Sequence, residues 1–223
     1  KQFSTIQLLN VADGTYKPLT TRTKLEGFPK FSPDGKNISY WFKKDDNISS
    51  INELWITDAN GNEGKPISTQ LNRDLYLSTW LPDGKNLLVG GHNDNKTSMW
   101  RMTLDGKTTP LNIGNVSPSW GFWLDATVSK TGAIAFTGSE PNKVNELYYM
   151  ASTTSKLVQL TDYNNEVSTM TLGKTQTIRW ENDRLKHCGI ITYPTNYEKG
   201  KKYPLVLIIH GGPNAASVEQ FSR

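Results

Sequence analysis

The chain has 223 residues, 35% of them hydrophobic and 21% charged, with a formal net charge of +4. That composition excludes a disordered or collagen-like chain and is ample for a sizeable core in one large or two ordinary domains. The lysines are scattered through turn-like stretches, the densest group being Lys199, Lys201 and Lys202. No basic stripe forms, so nucleic-acid binding is not expected, and no run is long enough to span a membrane.

In chain order, the first turn signal is Asp13-Gly14, in "LLNVADG". Next comes "FSPDGKNISYW" at 31–41, which returns as "WLPDGKNLLVG" at 80–90 and, worn down, as "VSKTGAIAFTG" at 128–138. The turn glycines Gly35, Gly84 and Gly132 recur at near-equal steps. Each turn is followed by a second motif: "ELWITDANG" from Glu53, "MWRMTLDG" from Met99 and "ELYYMASTT" from Glu146. Pro-Asp-Gly is turn chemistry, because Pro presets φ, Asp bonds back to the backbone and Gly accepts positive φ. The flanking runs are β-branched and aromatic. Ile38, Tyr40 and Phe42 alternate with other residues as in a half-buried strand, and Asp105-Gly106 signals a further hairpin. Each unit reads as four strands, close to the period of a propeller blade.

The fold class expected is therefore mainly β. Residues 1–172 read as a partial β-propeller of four-stranded blades, the end of one blade plus about three more. Propellers close with about 4–8 blades, so further blades are expected before Lys1. After a polar linker at 161–175, "QTIRWENDRLKHCGIITYP" reads as strand, turn, strand. Leu205 to Ile209 is a continuous apolar run, expected to be a buried strand covered on both faces. Residues 173–223 thus read as the opening of an α/β domain. Cys188, the single cysteine, sits in apolar context as a small core residue, and one cysteine does not separate cytoplasm from periplasm.

The succession "NELYYM", "LVQLTDYN", "IRWENDR", "ITYP" and "KKYPLVLIIHGGP" resembles the prolyl oligopeptidase family of serine peptidases, most of all its acylaminoacyl-peptidase and dipeptidyl-peptidase-like branches. The resemblance implies a propeller followed by an α/β-hydrolase domain whose first strands lie at 173–223. It also implies a parent that hydrolyses short peptides through an acyl-enzyme, with the propeller gating access. Acyl transfer needs fixed donors for the oxyanion, and a glycine loop after a buried strand lets backbone N–H groups approach the substrate. By resemblance, Gly212 is the expected donor and Gly211 the second choice, with His210 and Pro213 shaping the loop. The nucleophile, acid and base are expected outside this chain. It holds no G-x-S-x-G elbow, Ser217 and Ser222 lack flanking glycines, and neither His92 nor His187 matches the base. The 223 residues alone are then expected to be inactive.

Two departures stand out. Asp183-Arg184 replaces the family's Asp-Gly hairpin, and Arg tolerates positive φ poorly, so a turn of a different type is expected there. No adjacent Glu-Glu pair, the amino-terminus grip of the dipeptidyl branch, occurs. Two rivals remain open: a TolB-like binding propeller without catalysis, and an esterase on the same hydrolase fold. The other motifs read as bland. The loop from Asp58 to Glu63 lacks the glycine of a calcium loop and reads as a solvated hairpin. The histidines share no metal spacing, and no cofactor or metal is expected. Sequons at Asn37, Asn47, Asn95 and Asn115 arise easily in an Asn-rich chain. Trp120, Phe122 and Trp123 read as blade core, with a substrate channel as the alternative. The partners expected are peptide substrates, with neither nucleic acid nor membrane and with a homo-oligomer left open.

Overall fold

The computed structural model describes residues 4–20, 25–45, 49–61, 64–119, 124–212 and 215–221. Trp120, Phe122, Trp123, Asn47, Asn62, Glu63, Pro213 and Ser222 lie outside the described residues.

Strands β1 (Gln7–Leu9) and β2 (Tyr16–Pro18) form an antiparallel hairpin around the Asp13-Gly14 turn. β3 (Glu26–Phe31), β4 (Asn37–Lys43), β5 (Asn52–Asp58) and β6 (Lys65–Pro66) make a four-stranded antiparallel sheet in sequential order. β7 (Leu75–Trp80), β8 (Asn86–Asn93), β9 (Lys96–Thr103) and β10 (Thr108–Pro110) repeat it. The third sheet adds a variation. β11 (Ser117–Pro118) and β12 (Ala126–Val128) both pair with the same edge of β13 (Ile134–Glu140), which continues to β14 (Lys143–Met150) and β15 (Val158–Gln159). This sheet has five strands rather than the four expected, because β11 and β12 occupy successive stretches of one edge of β13.

Equivalent hydrogen bonds define the repeat better than the sequence does. The residue after each outer strand donates to a backbone carbonyl in or next to the third strand: Leu19 to Ile6 at 2.8 Å, Ile67 to Leu54 at 2.9 Å, Leu111 to Met99 at 2.9 Å and Leu160 to Leu147 at 2.8 Å. The β1–β2 hairpin is thus the outer half of a blade. The turn glycines all have positive φ, at 70°, 62° and 88° for Gly35, Gly84 and Gly132. Their turns stack in succession: a methyl on Gly84 would lie 3.9 Å from Asp34, and one on Gly132 3.9 Å from Pro82.

The core is divided into three apolar layers, one between each pair of neighbouring blades. Ile6 and Leu19 meet Ile38, Tyr40 and Phe42. Trp41, Leu54 and Ile56 meet Leu75, Leu87 and Trp100. Leu77, Leu88 and Met99 meet Ile134, Phe136 and Met150. Each fully buried side chain of this kind contributes about 1.5–3 kcal/mol. This layering corrects the half-buried reading of β4. Ile38, Tyr40 and Phe42 face one layer and Trp41 the next, so both faces of the strand are buried. The last blade differs: Val158 and Leu160 are exposed, where the equivalent Leu19, Ile67 and Leu111 are buried.

The polar linker contains one helical turn, α1 (Asn165–Ser168). Glu146 clasps the linker to the last blade, accepting from the hydroxyl of Thr161, from Asn164 N at 3.0 Å and from Tyr163 N at 3.3 Å. β16 (Thr175–Asn182) and β17 (Leu185–Thr192) then pair over eight residues each. Their two-residue turn overturns the expectation for Asp183-Arg184, since φ is +49° and +65°. The ladder on both sides demands a turn with two left-handed residues, and that demand overrides the reluctance of Arg. Cys188 is exposed rather than in a core. The run 205–209 is not a strand. Its five residues are 76–84% exposed, and no strand lies beside it among the described residues.

Candidate functional site

The β16–β17 hairpin docks at the end of the blades where β8 turns into β9. Arg179 of β16 forms a two-pronged ion pair with Asp94, Nη1 donating to Oδ1 at 3.0 Å and Nη2 to Oδ2. Asp94 itself sits at φ +60°, a conformation Asp tolerates. The Arg179 guanidinium holds the Asp94 carboxyl below the ordinary range, helped by a hydrogen bond from Cys188. The amide of Asn95 donates to the Thr177 hydroxyl, which donates in turn to Glu219.

Between hairpin and blades opens a polar cleft of about 800 Å³. Asn72, Arg73 and Asp74 line it from the β6–β7 connection, His92 and residues 93–96 from the β8–β9 hairpin, and Arg179 from β16. Asp74 organises this wall. Its Oδ1 accepts from Asn52 N at 2.7 Å and from Asn52 Nδ2 at 2.9 Å, and its Oδ2 accepts from the Tyr76 hydroxyl at 2.9 Å. Burial and the Asp74 charge push the Tyr76 phenol up. The ring of Tyr76 meets His92 edge-on at 5.0 Å. Burial lowers the pKa of His92, while Asp74 pulls it up and His210 pushes it down.

The loop itself is exposed. His210 Nδ1 is 3.3 Å from the Gly211 carbonyl oxygen. Gly212 has φ +74°, which an L side chain would strain, and a methyl on Gly211 would meet nothing within 4 Å. Among the described residues, neither glycine N–H donates to a backbone carbonyl. His187 stacks on Trp180 at 5.5 Å on the hairpin, apart from the loop, and Ser217 is exposed. At the would-be calcium loop, Asp58 Oδ1 accepts from Asn60 N at 2.8 Å, an ordinary turn bond. The cleft residues Asp74, Asp94 and Arg179 carry no sequence motif. The polar tip "NDN" at 93–95 was the one visible signal, and nothing in the sequence pairs it with Arg179.

Comparison with known proteins supports the resemblance to prolyl oligopeptidase-family peptidases. The chain is 24% identical over 196 residues to dipeptidyl-peptidase 5 of Aspergillus fumigatus, covering 83% of this chain and 26% of that protein. It is likewise 24% identical over 223 residues to dipeptidyl-peptidase 5 of Porphyromonas gingivalis, covering 98% of this chain and 32% of that protein. The chain thus spans roughly a quarter to a third of the length of these curated relatives. In fold it is similar to the acylaminoacyl peptidase of Pyrococcus horikoshii, with TM-score 0.73 and 19% identity over 94% of this chain and 31% of that one. It also matches TolB from Acinetobacter baumannii, with TM-score 0.53 and 17% identity over 84% of this chain and 46% of that one. No family model matches the chain.

Proposed function

We propose that this chain is the junction of a serine peptidase that hydrolyses short peptides through an acyl-enzyme. Residues 1–172 supply propeller blades that gate access, and residues 173–223 open the catalytic α/β-hydrolase domain. Gly212 N–H, with Gly211 as the second choice, donates to the oxyanion, while His210 and Pro213 shape the loop. The nucleophile, acid and base come from sequence beyond these residues. One observation carries this reading: the likeness in sequence to dipeptidyl-peptidase 5 runs through nearly the whole chain, including the exposed glycine loop at 210–212. Two N–H groups that donate to no backbone carbonyl among the described residues can stabilise charge as it develops on a carbonyl oxygen.

An oxyanion donor works only after a nucleophile has attacked, so the 223 residues alone should turn over neither peptide nor ester. The test compares a chromogenic dipeptide substrate with the isolated chain, with the longer protein and with its Gly212→Val variant. The longer protein should hydrolyse the peptide and take up a serine-directed phosphonate. The variant should lose roughly 2.7–4 kcal/mol of transition-state stabilisation, mainly in kcat. Phosphonate-sensitive turnover by the isolated chain would overturn the placement of the nucleophile, and an unimpaired variant would remove Gly212 from the oxyanion hole. A longer protein that neither labels nor turns over would favour the binding propeller, to which the TolB likeness in fold also points.

A further inference from the structure

The β16–β17 hairpin poses a physical problem. A two-stranded hairpin is marginal in water unless it packs on something. Yet Ile178, Trp180 and Leu185 are 41%, 48% and 63% exposed, so apolar burial does not hold this hairpin to the blades. Polar contacts do, and they converge on one turn. Asp94 takes Arg179, and the Asn95 side chain takes Thr177. The Asn95 carbonyl oxygen also accepts from Glu219 N at 2.6 Å, while the Glu219 carboxylate accepts from Thr177. Two residues on, Phe221 N donates to Ser139 Oγ of the next blade at 3.1 Å. Thr177 and Arg179 precede the 210–212 loop in the chain, and Glu219 follows it.

We propose that the turn at Asp94 and Asn95 is a catch that grips the chain on both sides of the 210–212 loop and so fixes where that loop stands relative to the blades. Asp94, Asn95, Thr177 and Arg179 are then positioning residues, and their effect on the reaction rests on the reading above. The ion pair alone is weak, since Arg179 and Asp94 side chains are 61% and 41% exposed. Its force lies in sharing a turn with the Asn95–Thr177–Glu219 relay, so that losing either part loosens both ends of the segment.

Cys188 lies opposite Arg179 in the hairpin and reports on the catch. Burial and Asp94 push its thiol up, and Arg179 pulls it down. Removing Arg179 therefore has opposite consequences under two accounts. If the hairpin stays docked, Arg179→Gln leaves the thiol less acidic and alkylation slows. If the catch opens, the thiol leaves the Asp94 carboxylate that accepts its hydrogen bond and pushes it up, and alkylation quickens. We expect iodoacetamide labelling of the 223-residue chain to quicken about two- to fivefold in Arg179→Gln. We expect the same direction in Thr177→Val, which alters no charge, with the double variant no faster than the quicker single one. Slower or unchanged labelling of Arg179→Gln, or strictly additive effects, would overturn the catch. In the longer protein the same substitutions should lower kcat by up to about a hundredfold with KM little changed, and Arg179→Lys should recover part of it. Quickened labelling with kcat intact would overturn the positioning role. A longer protein without peptidase activity would instead refute the proposed function, and labelling would still decide the catch.

Discussion

Trp41 offers a sharp test of the layered core. It sits on β4 in the second blade, 5% exposed, and its indole N–H donates across the blade boundary to Ser78 Oγ on β7 at 2.7 Å. Ser78 is 2% exposed. Trp41→Phe leaves that hydroxyl buried without its donor, which costs about 1–3 kcal/mol. The smaller ring adds roughly 1 kcal/mol for the space it no longer fills. The sum corresponds to a fall in Tm of about 5–15 °C for a chain of this size. Ser78→Ala alone orphans the indole N–H instead and costs about the same 1–3 kcal/mol. The double variant removes both polar groups, so its loss should fall short of the sum by about 1–3 kcal/mol. Urea unfolding followed by circular dichroism measures all four corners of the cycle. Additivity within about 0.5 kcal/mol would refute the claim that this bond ties the two blades.

Glu146→Ala should expose residues 161–164 to proteolysis without unfolding the blades, since those residues are held by its carboxylate. Burial would raise that carboxyl, but bonds from Thr161, Asn164 and Tyr163 outweigh it and hold it below the ordinary glutamate value of 4.5. Because the folded value is depressed, the clasp is fully present above 4.5 and is lost as pH falls through the lower value, so linker protection should be flat from neutrality and fail only in acid. Gly91→Ala should destabilise the chain by roughly 1–3 kcal/mol or more, because the new methyl would lie 2.1 Å from the Asp74 carbonyl oxygen. A melt matching that of the parent sequence would show that this wall of the cleft yields.

The blades were legible because their turns are written in local chemistry. Pro-Asp-Gly and Asp-Gly demand the same φ wherever they occur, and Gly35, Gly84, Gly14 and Gly106 all meet it. What lies between blades was not legible. Period-two alternation says which residues share a face but not whether the other face is covered, so Ser39 and Trp41 looked solvated and are buried. The Asp183-Arg184 turn was misread for the opposite reason, since a local preference yielded to an eight-residue ladder. The glycine loop could be found from its motif. Its setting could not, because Asp94 and Arg179 stand 85 residues apart and each alone is an ordinary surface charge.

The two kinds of contact in this chain respond oppositely to salt. The blades meet through apolar layers, which sulfate strengthens by exclusion from protein surface. The hairpin meets them through an exposed ion pair, and 1 M salt shortens the Debye length to about 3 Å. Raising ammonium sulfate to about 1 M should therefore raise the Tm of the blades while lowering hydrogen-exchange protection of the β16 amides. Those amides depend on docking, because the hairpin has little apolar cover of its own. Protection of β8 amides, buried between two layers, should rise in the same samples and serves as the internal reference. If β16 protection rose in step with β8, the hairpin would be held by burial rather than charge.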